Sequence, residues 1–258
     1  MPVLKYYNNL SREVVAFSTT RHGGSSKGTY SEMNINRYCG DDPLAIEKNM
    51  TILGRELGID KERIIMPHQT HETNILNITN DFTSLSDNEK SVLLEGKDAL
   101  ITNVPNVCIG VSTADCIPII LYDTVNRVAA AIHAGWRGTV KRIAEKAVKF
   151  MQTEYGTTPN ELKAVIGPGI SVEAFEVGNE VYEEFMRSGF EMNRISLHKD
   201  KWHIDLPECN RLQLTNAGII NDNIEDCGIC TYNNSDTFFS ARKLGTKSGR
   251  IFTGIFIK

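Results

Sequence analysis

The chain has 258 residues, of which 41% are hydrophobic and 23% charged, a composition typical of a soluble globular protein. Its 28 basic and 32 acidic residues give a formal net charge of −4, which argues against a nucleic-acid binder dominated by phosphate contacts. No apolar run approaches the roughly 20 residues of a membrane helix, and no linker or repeat divides the sequence, so we expect one domain over residues 1–258 with neither a membrane nor a nucleic-acid partner.

Strands and one long helix are predicted in the first half of the chain. Asp42 followed by Pro43 is typical of a helix start, and apolar spacing extends this helix to about Gly58. The polar segment 80–97 predicts a loop or a short helix. Strands are predicted at residues 14–20, 63–66, 72–78, 98–102 and 107–112.

The second half combines a hairpin with helices and short strands. Residues 117–122 and 127–133 are mostly apolar, flank the turn-like stretch D-T-V-N and predict a β-hairpin. Further helices are predicted at residues 140–151, 175–187 and 206–217, and further strands at residues 163–166, 202–205, 236–240 and 250–257. Because strands occur both in hairpins and between helices, we expect a mixed sheet covered by helices.

Cys116 and His133 lie at the ends of the two hairpin strands. If the turn centres on Thr124 and Val125, the two residues are directly opposed and their Cβ atoms lie roughly 4.5–5.5 Å apart. A thiol and an imidazole at this separation can share a metal ion or form a nucleophile–base pair. A bulge or a different loop length would change the register and separate them.

A glycine-rich elbow follows His133. The strand runs through Gly135 and Gly138 into a helix, whose first N–H groups and positive dipole end favour an anion. Arg137 lies inside the elbow, so the sequence predicts an anion pocket beside the thiol and the imidazole. The alternative for Arg137 is a surface salt bridge.

Two histidines compete as a third metal ligand. His68 and His71 occur in H-Q-T-H and face opposite sides of an extended segment, so the residues alone leave the choice between them open. Ligands that lie far apart in sequence are typical of a catalytic zinc site with three protein ligands and an open fourth position. Such a metal can activate water or polarise a substrate.

The six cysteines predict reduced thiols rather than a disulfide framework. Because the N-terminus lacks the apolar region of a signal peptide, we expect a cytoplasmic location. Cys227 and Cys230 form a lone C-x-x-C pair, which is a weak metal signal, and buried thiols are the favoured interpretation.

Two further arginines are candidate anion ligands. Arg21 lies in a segment rich in Gly and Ser, which is either a flexible surface loop or a loop that closes on substrate. Arg242 follows F-F-S-A, where the residues alone favour an ordinary strand with an exposed basic end over a base-binding site.

A series of short motifs spans nearly the whole chain. In order they are S-T-T-R-H-G-G, G-D-D-P, Q-T-H, D-A-L-I-T, T-A-D-C-I-P-I-I-L, H-A-G-W-R-G-T, I-G-P-G-I, F-E-V-G, I-D-L, C-T and F-F-S-A-R-K. The series resembles the laccase-domain family, also called multicopper polyphenol oxidase-like, whose members are purine nucleoside phosphorylases. T-A-D-C-x-P and H-A-G-W-R-G at this spacing are highly specific to it.

The resemblance implies a single-domain α+β fold of four layers, α/β/β/α, with mixed β-sheets. It implies a zinc ion held by His71, Cys116 and His133, which selects His71 over His68. The implied activity is phosphorolysis of adenosine, inosine and methylthioadenosine, together with deamination of adenosine. The implied partners are therefore purine nucleosides and phosphate.

Two residues depart from the family pattern. Glu72 stands where the family has Gly after the Q-x-H histidine, and Lys243 replaces the second Arg after F-F-S-x. These departures concern fine specificity more than the metal site.

Within this hypothesis zinc polarises the substrate or activates a water for attack at the adenine 6-position. Arg137 with the elbow N–H groups is the candidate phosphate site, with Arg21 or Arg242 assisting.

The candidate catalytic residues are Cys116, His133 and Asp115. Asp115 either orients a ligand or transfers a proton, and its alternative is a turn residue that caps local backbone.

Three other functions remain open. Two His and one Cys also describe a blue-copper centre, and thus a copper-dependent polyphenol oxidase. Against this, six histidines without an H-x-H pair cannot build the multicopper cluster of a true laccase, which by family resemblance needs many more. Cys116 could be the nucleophile and His133 the base of a hydrolase. The non-enzymatic alternative is a metal-stabilised protein that binds nucleosides.

Overall fold

Two mixed β-sheets packed face to face form the centre of the chain, and the computed structural model describes residues 3–258. The strands within this range are β1 Leu4–Tyr6, β2 Val14–Thr19, β3 Ile64–Ile65, β4 Ile75–Ile78, β5 Ala99–Thr102, β6 Cys108–Thr113, β7 Ile117–Asp123, β8 Val128–Ala134, β9 Leu162–Ile166, β10 Glu176–Val177, β11 Ser196–His198, β12 Trp202–Ile204, β13 Ile224–Asp226 and β14 Ile251–Ile257. The α-helices are α1 Pro43–Leu57, α2 Asn80–Ser84, α3 Asp87–Leu94, α4 Trp136–Val140, α5 Ile143–Tyr155, α6 Asn179–Arg187, α7 Met192–Ile195, α8 Leu206–Asn216 and α9 Ala241–Leu244.

Strand directions make both large sheets mixed, as the sequence predicts. The larger sheet has the order β13-β9-β7-β8-β5-β4, and its two outermost pairs are parallel while the inner pairs are antiparallel. The second sheet has the order β1-β2-β14-β6-β3, in which only the pair of β3 and β6 is parallel among the described strands. A small third sheet has the order β10-β12-β11.

Side-chain alternation along β7 separates two layers of the core. Ile119 and Leu121 pack in a cluster with residues of α5 and α8 on the helix side of the larger sheet. Ile120 and Tyr122 point the other way and pack against apolar residues of the second sheet. Because both faces of the strand are buried, its sequence is continuously apolar rather than alternating.

The outer face of the second sheet is covered by α1. Phe17 of β2 and Phe252 of β14 pack against Leu53 of this helix, and all three are fully buried. The layers therefore run helix, sheet, sheet, helix. This confirms the four-layer α+β fold that the family resemblance implies.

Local sequence signals position α1 as predicted. The Asp42 side chain caps the helix by accepting a hydrogen bond from the Leu44 amide, and Pro43 occupies the first turn. Gly58 ends the helix in the left-handed conformation, with φ of 69°.

Other predicted elements are shorter or absent. The strand predicted at residues 236–240 is wrong, because this segment forms turns and Ser240 then caps α9 by accepting from the Lys243 amide. The segment 80–97 contains two short helices, α2 and α3. The helix predicted at residues 140–151 is interrupted by Arg142, which has φ of 64°, and continues as α5. Within residues 3–258 no helix has the length and apolarity needed to cross a membrane.

Candidate metal centre

The register of the β7–β8 hairpin differs by two residues from the predicted one. Pro118, not Cys116, is paired with His133, because the loop between the strands comprises residues 124–127. The predicted direct opposition of Cys116 and His133 is therefore wrong. A shift of two residues preserves the face on which a side chain lies, so Cys116 approaches His133 diagonally from just beyond the strand end.

Three side chains with metal-ligating atoms meet at this end of the larger sheet. The ligand atoms of His71, Cys116 and His133 all lie within 4.8 Å of one another, and no other group of this kind occurs within residues 3–258. The distance from His71 Nε2 to Cys116 Sγ is 3.9 Å. His133 is buried, Cys116 is half-buried and His71 is exposed, so the group is open to solvent on one side.

His68 lies outside this group. Its Nδ1 is 2.8 Å from the Glu95 carboxylate, and its ring stacks on Tyr38 with 4.1 Å between the ring centroids. The geometry therefore brings His71, rather than His68, to the thiol and the second imidazole.

The donor set suits a transition metal. One thiolate and two imidazoles are typical of three-ligand zinc sites, and also of copper. Bonds to zinc of roughly 2.0–2.3 Å require the widest separation in the group to shorten by about an ångström, which rotation of the exposed His71 side chain permits.

Gly135 leaves the space between the three ligands free. A Cβ atom built on this residue would lie 2.9 Å from His71 Cδ2, 3.1 Å from Cys116 Sγ and 3.6 Å from His133 Nε2. Its backbone, with φ of −67° and ψ of 167°, suits any residue, so the glycine is required for space and not for conformation. From the sequence, Gly135 is predicted only to form the elbow, and its position beside the three ligands becomes evident only in the folded chain.

Cys116 and His133 shift each other's protonation. Burial alone would raise the pKa of the Cys116 thiol, but His133 and then His71 outweigh it and lower the pKa to about 6. Burial opposes the charged form of His133, but the Cys116 thiolate and the Asp98 carboxylate raise its pKa to about 9. At neutral pH the pair is therefore a thiolate beside an imidazolium, and a metal cation binds by displacing the imidazolium proton.

Asp98 contacts both histidines and was not singled out from the sequence. Its Oδ1 is 2.7 Å from His133 Nδ1 and accepts a hydrogen bond from the His71 amide at 3.0 Å. The bond to Nδ1 leaves His133 Nε2 facing the thiol. Two signals were present, because histidine ligands usually bind a carboxylate or carbonyl through their second nitrogen and Asp98 begins the D-A-L-I-T motif, but neither indicated which histidine it contacts.

Arg137 projects from α4 beside the group. Its guanidinium lies 4.2 Å above the Trp136 ring, and the residue is exposed. Within residues 3–258 this guanidinium forms neither an ion pair nor a side-chain hydrogen bond, so the salt bridge considered from the sequence is not formed there. Only Trp136 separates it in sequence from Gly135, beside which all three ligands lie.

Arg21 and Arg242 are engaged differently, since both guanidinium groups donate to backbone carbonyls. Arg21 donates to Ser31 O at 2.9 Å and Ser235 O at 2.7 Å. Arg242 donates to Glu176 O at 3.1 Å and lies 5.6 Å from the Phe175 ring centroid. Both arginines therefore hold loops together at this end of the molecule.

Asp115, which directly precedes Cys116, binds two residues that are distant in sequence. Its carboxylate accepts from the Thr231 hydroxyl and from the Arg242 amide, each at 2.7 Å. Its φ of 85° is unusual for a residue other than glycine and marks a backbone conformation that the surroundings hold in place.

Cys227 and Cys230 lie on the same loop as Thr231 and are not members of the three-ligand group. Cys230 is buried and its Sγ accepts from the Ser171 amide at 3.4 Å. Burial raises the pKa of Cys227 to about 11, so this thiol is protonated at neutral pH. The preference for ordinary buried or half-buried thiols fits this environment.

Comparison with known proteins adds a family and named relatives. The family described as "Multi-copper polyphenol oxidoreductase laccase" matches residues 15–258. A Bacteroides thetaiotaomicron protein named purine nucleoside phosphorylase is 46% identical over 257 residues, covering 98% of this chain and 94% of the relative. A protein named adenosine deaminase RL5, from an unknown prokaryotic organism, is 42% identical over 248 residues, covering 95% of this chain and 94% of the relative.

Solved structures share the fold. The crystal structure of the Bacillus licheniformis hypothetical protein YfiH superposes with a TM-score of 0.92 at 28% sequence identity, covering 100% of this chain and 97% of that one. The similarity therefore extends through the whole four-layer arrangement, including the strand ends that carry the three-ligand group.

Proposed function

The chain belongs to the multi-copper polyphenol oxidoreductase laccase family, and we propose that it is a zinc-dependent purine nucleoside phosphorylase that also deaminates adenosine. Its substrates are adenosine, inosine and methylthioadenosine, together with phosphate. The observation that carries the proposal is the convergence of His71, Cys116 and His133 at a solvent-open strand end. The names of the relatives at 46% and 42% identity support the two reactions.

His71, Cys116 and His133 hold the metal in this proposal. When bound, zinc supplies a Lewis acid at the open side of the site. The buried His133 fixes one ligand in place, whereas the exposed His71 adjusts to the ion. The space left by Gly135 keeps the ligand atoms free of a side chain that would separate them.

Arg137 binds the phosphate. Stacking on Trp136 orients the guanidinium in advance, and its N–H groups are free of other partners within residues 3–258. Because α4 has only five residues, we assign the anion to this side chain rather than to a helix dipole. Arg21 and Arg242 assist in this proposal by fixing loops through bonds to backbone carbonyls.

Hydrogen phosphate held in this way attacks ribose C1′, the glycosidic bond breaks, and the base leaves with the bonding electron pair. The base takes up one proton, which balances the proton that hydrogen phosphate gives up on becoming an ester. Asp115 orients the site in this proposal, because its carboxylate is tied to the Thr231 hydroxyl and to the Arg242 amide. Because Cys116 directly follows Asp115, the bonds of Asp115 to Thr231 and Arg242 also fix the position of Cys116.

The direct test incubates the purified chain with inosine, with and without inorganic phosphate, and separates the products by chromatography. We expect hypoxanthine and ribose 1-phosphate in equal amounts and only when phosphate is present. Cys116→Ser is the matched variant, since it keeps size and removes the thiolate, and we expect it to lose base release. Hypoxanthine without a need for phosphate, or no base release from any purine nucleoside, would refute the proposal.

The second activity has its own readout. Adenosine incubated without phosphate is expected to yield inosine, because deamination consumes only water. Absence of inosine under these conditions would restrict the function to phosphorolysis.

Copper is the competing metal, because two imidazoles and one thiolate also describe a blue-copper centre. A multicopper oxidase needs several copper sites, and residues 3–258 contain one three-ligand group. Elemental analysis together with an absorption spectrum separates the two cases. Copper with an intense visible band and oxidation of a polyphenol would favour the oxidase.

A further inference from the structure

Asp98 is a fully buried carboxylate that lies immediately before β5. Its Oδ1 lies 2.7 Å from His133 Nδ1 and also accepts a hydrogen bond from the His71 amide at 3.0 Å. Its Oδ2 accepts from the Glu72 amide at 2.8 Å and more weakly from the Thr70 amide at 3.4 Å. One carboxylate thus contacts two of the three residues in the candidate metal centre.

Strand register explains the contact with His133. Ala99 of β5 pairs with Ile132 of β8, so the next antiparallel position places Asp98 directly opposite His133. The backbone carbonyl of Asp98 also accepts from the His133 amide at 2.7 Å. Both the main chain and the side chain of His133 are therefore fixed against the same residue.

The loop that carries His71 depends on the other hydrogen bonds of Asp98. His71 has φ of 63°, in the left-handed region that residues other than glycine rarely adopt. Consecutive amides of His71 and Glu72 point at the carboxylate in this conformation. The carboxylate therefore compensates for an unfavourable backbone geometry and fixes where the His71 side chain begins.

Burial decides between a chemical and a positioning role. Asp98 has no solvent-exposed surface, and its hydrogen-bond capacity is used by His133 and the loop amides. A substrate in the open site cannot reach it, so proton transfer to substrate is excluded on geometric grounds. What the residue can do is orient the His133 imidazole and fix the backbone that carries His71.

We propose that Asp98 is the positioning residue that joins His71 and His133 into one metal-binding unit. Its Oδ1 keeps the proton of His133 on Nδ1, which leaves Nε2 as the ligand atom. Its bonds to the 71–72 amides hold the backbone from which the second imidazole reaches toward the same ion. This role rests on the proposed metal centre and is independent of the nucleoside chemistry.

The first experiment compares zinc affinity in the wild-type chain and in Asp98→Asn by competition with a chromophoric chelator. The amide has one acceptor oxygen and one NH₂ group, so in either orientation it leaves the imidazole N–H or a loop amide without an acceptor. We expect zinc affinity to fall by about 10- to 100-fold, the range typical of residues that orient metal ligands.

Asp123→Asn is the matched control. Asp123 is also fully buried and accepts from two backbone amides, those of Val125 and Asn126, but it lies at the opposite end of β7. We expect this variant to lower the thermal midpoint of unfolding without changing zinc affinity. Equal loss of zinc affinity in both variants would attribute the effect to general destabilisation and overturn the role of Asp98.

A second measurement needs no substitution. Long-range proton–nitrogen NMR spectra of the zinc-loaded wild-type chain report which nitrogen of His133 carries the proton. We expect a protonated Nδ1 and a metal-bound Nε2, and the reverse assignment would overturn the proposal. Zinc affinity unchanged in Asp98→Asn would overturn it as well, whereas a wild-type chain that binds no zinc would refute the metal centre itself and with it this role.

Discussion

Gly135→Ala is the substitution with the most local expected effect on the candidate metal centre. The added methyl would lie 2.9 Å from His71 Cδ2 and 3.1 Å from Cys116 Sγ, both shorter than ordinary van der Waals contact. At 3.6 Å from His133 Nε2 it would also border the third ligand. The ligand atoms must draw together to hold an ion, so a methyl placed among them opposes binding directly.

The magnitude follows from which part of the structure must move. The backbone of Gly135 suits alanine, with φ of −67° and ψ of 167°, so the strain falls on the His71 and Cys116 side chains rather than on the chain path. We expect zinc affinity to fall at least tenfold, about 1.4 kcal/mol. The free energy of unfolding of the metal-free protein should change by less than about 1 kcal/mol, as is usual when alanine replaces glycine at a helix N-cap.

The assay is zinc competition with a chromophoric chelator, paired with thermal unfolding. Gly178→Ala is the matched control, because Gly178 is the N-cap of α6 with φ of −77° and ψ of 169°, and the atoms nearest to its added methyl belong to the flexible carboxylate of Glu180. We expect zinc affinity of this control to equal that of wild type. Wild-type affinity in Gly135→Ala would refute the assignment of the metal to the space beside this residue.

Three further outcomes are expected. Zinc affinity should rise about tenfold per pH unit between pH 6 and 9, because zinc displaces the His133 proton, and more steeply below pH 6, where Cys116 is protonated as well. Calorimetry in two buffers of different ionisation enthalpy should accordingly find about one proton released at pH 7, and pH-independent affinity would contradict the thiolate–imidazolium pair. Arg137→Ala should raise KM for phosphate at least tenfold with zinc content unchanged, because one charge-assisted hydrogen bond contributes about 1.5–3 kcal/mol to binding. An unchanged KM would show that Arg137 is not part of the phosphate site. Iodoacetamide should modify Cys116 in protein treated with a chelator and not in zinc-loaded protein. Cys108, whose burial raises its pKa, should stay unmodified in both. Modification of Cys116 at full zinc occupancy would favour the hydrolase alternative.

Proximity of Cys116 and His133 could be predicted from the sequence, although their register could not. The number of residues in the turn was underestimated, because Asp123 accepts from the Val125 and Asn126 amides and Arg127 adopts φ of 55°, which together build a longer loop. The resulting shift of two residues left both side chains on the same face. A shift of one would have separated them.

Asp98 illustrates what the sequence could not supply. Its contact with His133 depends on the pairing of β5 with β8, and the register of strands distant in sequence is set by packing across the whole sheet. The same holds for Gly135, whose neighbours come from three separate segments. Arg21 and Arg242 were identified as candidate anion ligands by residue type, whereas their backbone partners became evident only once the loops were placed.

The fold was predictable to a different degree. Capping by Asp42 and Pro43 fixed the start of α1, because these are local interactions. The strand expected at residues 236–240 failed because the aromatic pair Phe238 and Phe239 packs inside a turn-rich segment, where tertiary burial outweighs strand propensity.

The central claim is that the metal held by the three-ligand group is required for phosphorolysis. The decisive measurement titrates chelated, metal-free protein with zinc and follows bound metal and phosphate-dependent hypoxanthine release from inosine in the same samples. We predict that activity rises in proportion to zinc and reaches its maximum at one ion per chain. Full activity in the metal-free protein, or one bound zinc per chain without phosphate-dependent hypoxanthine release, would contradict the account.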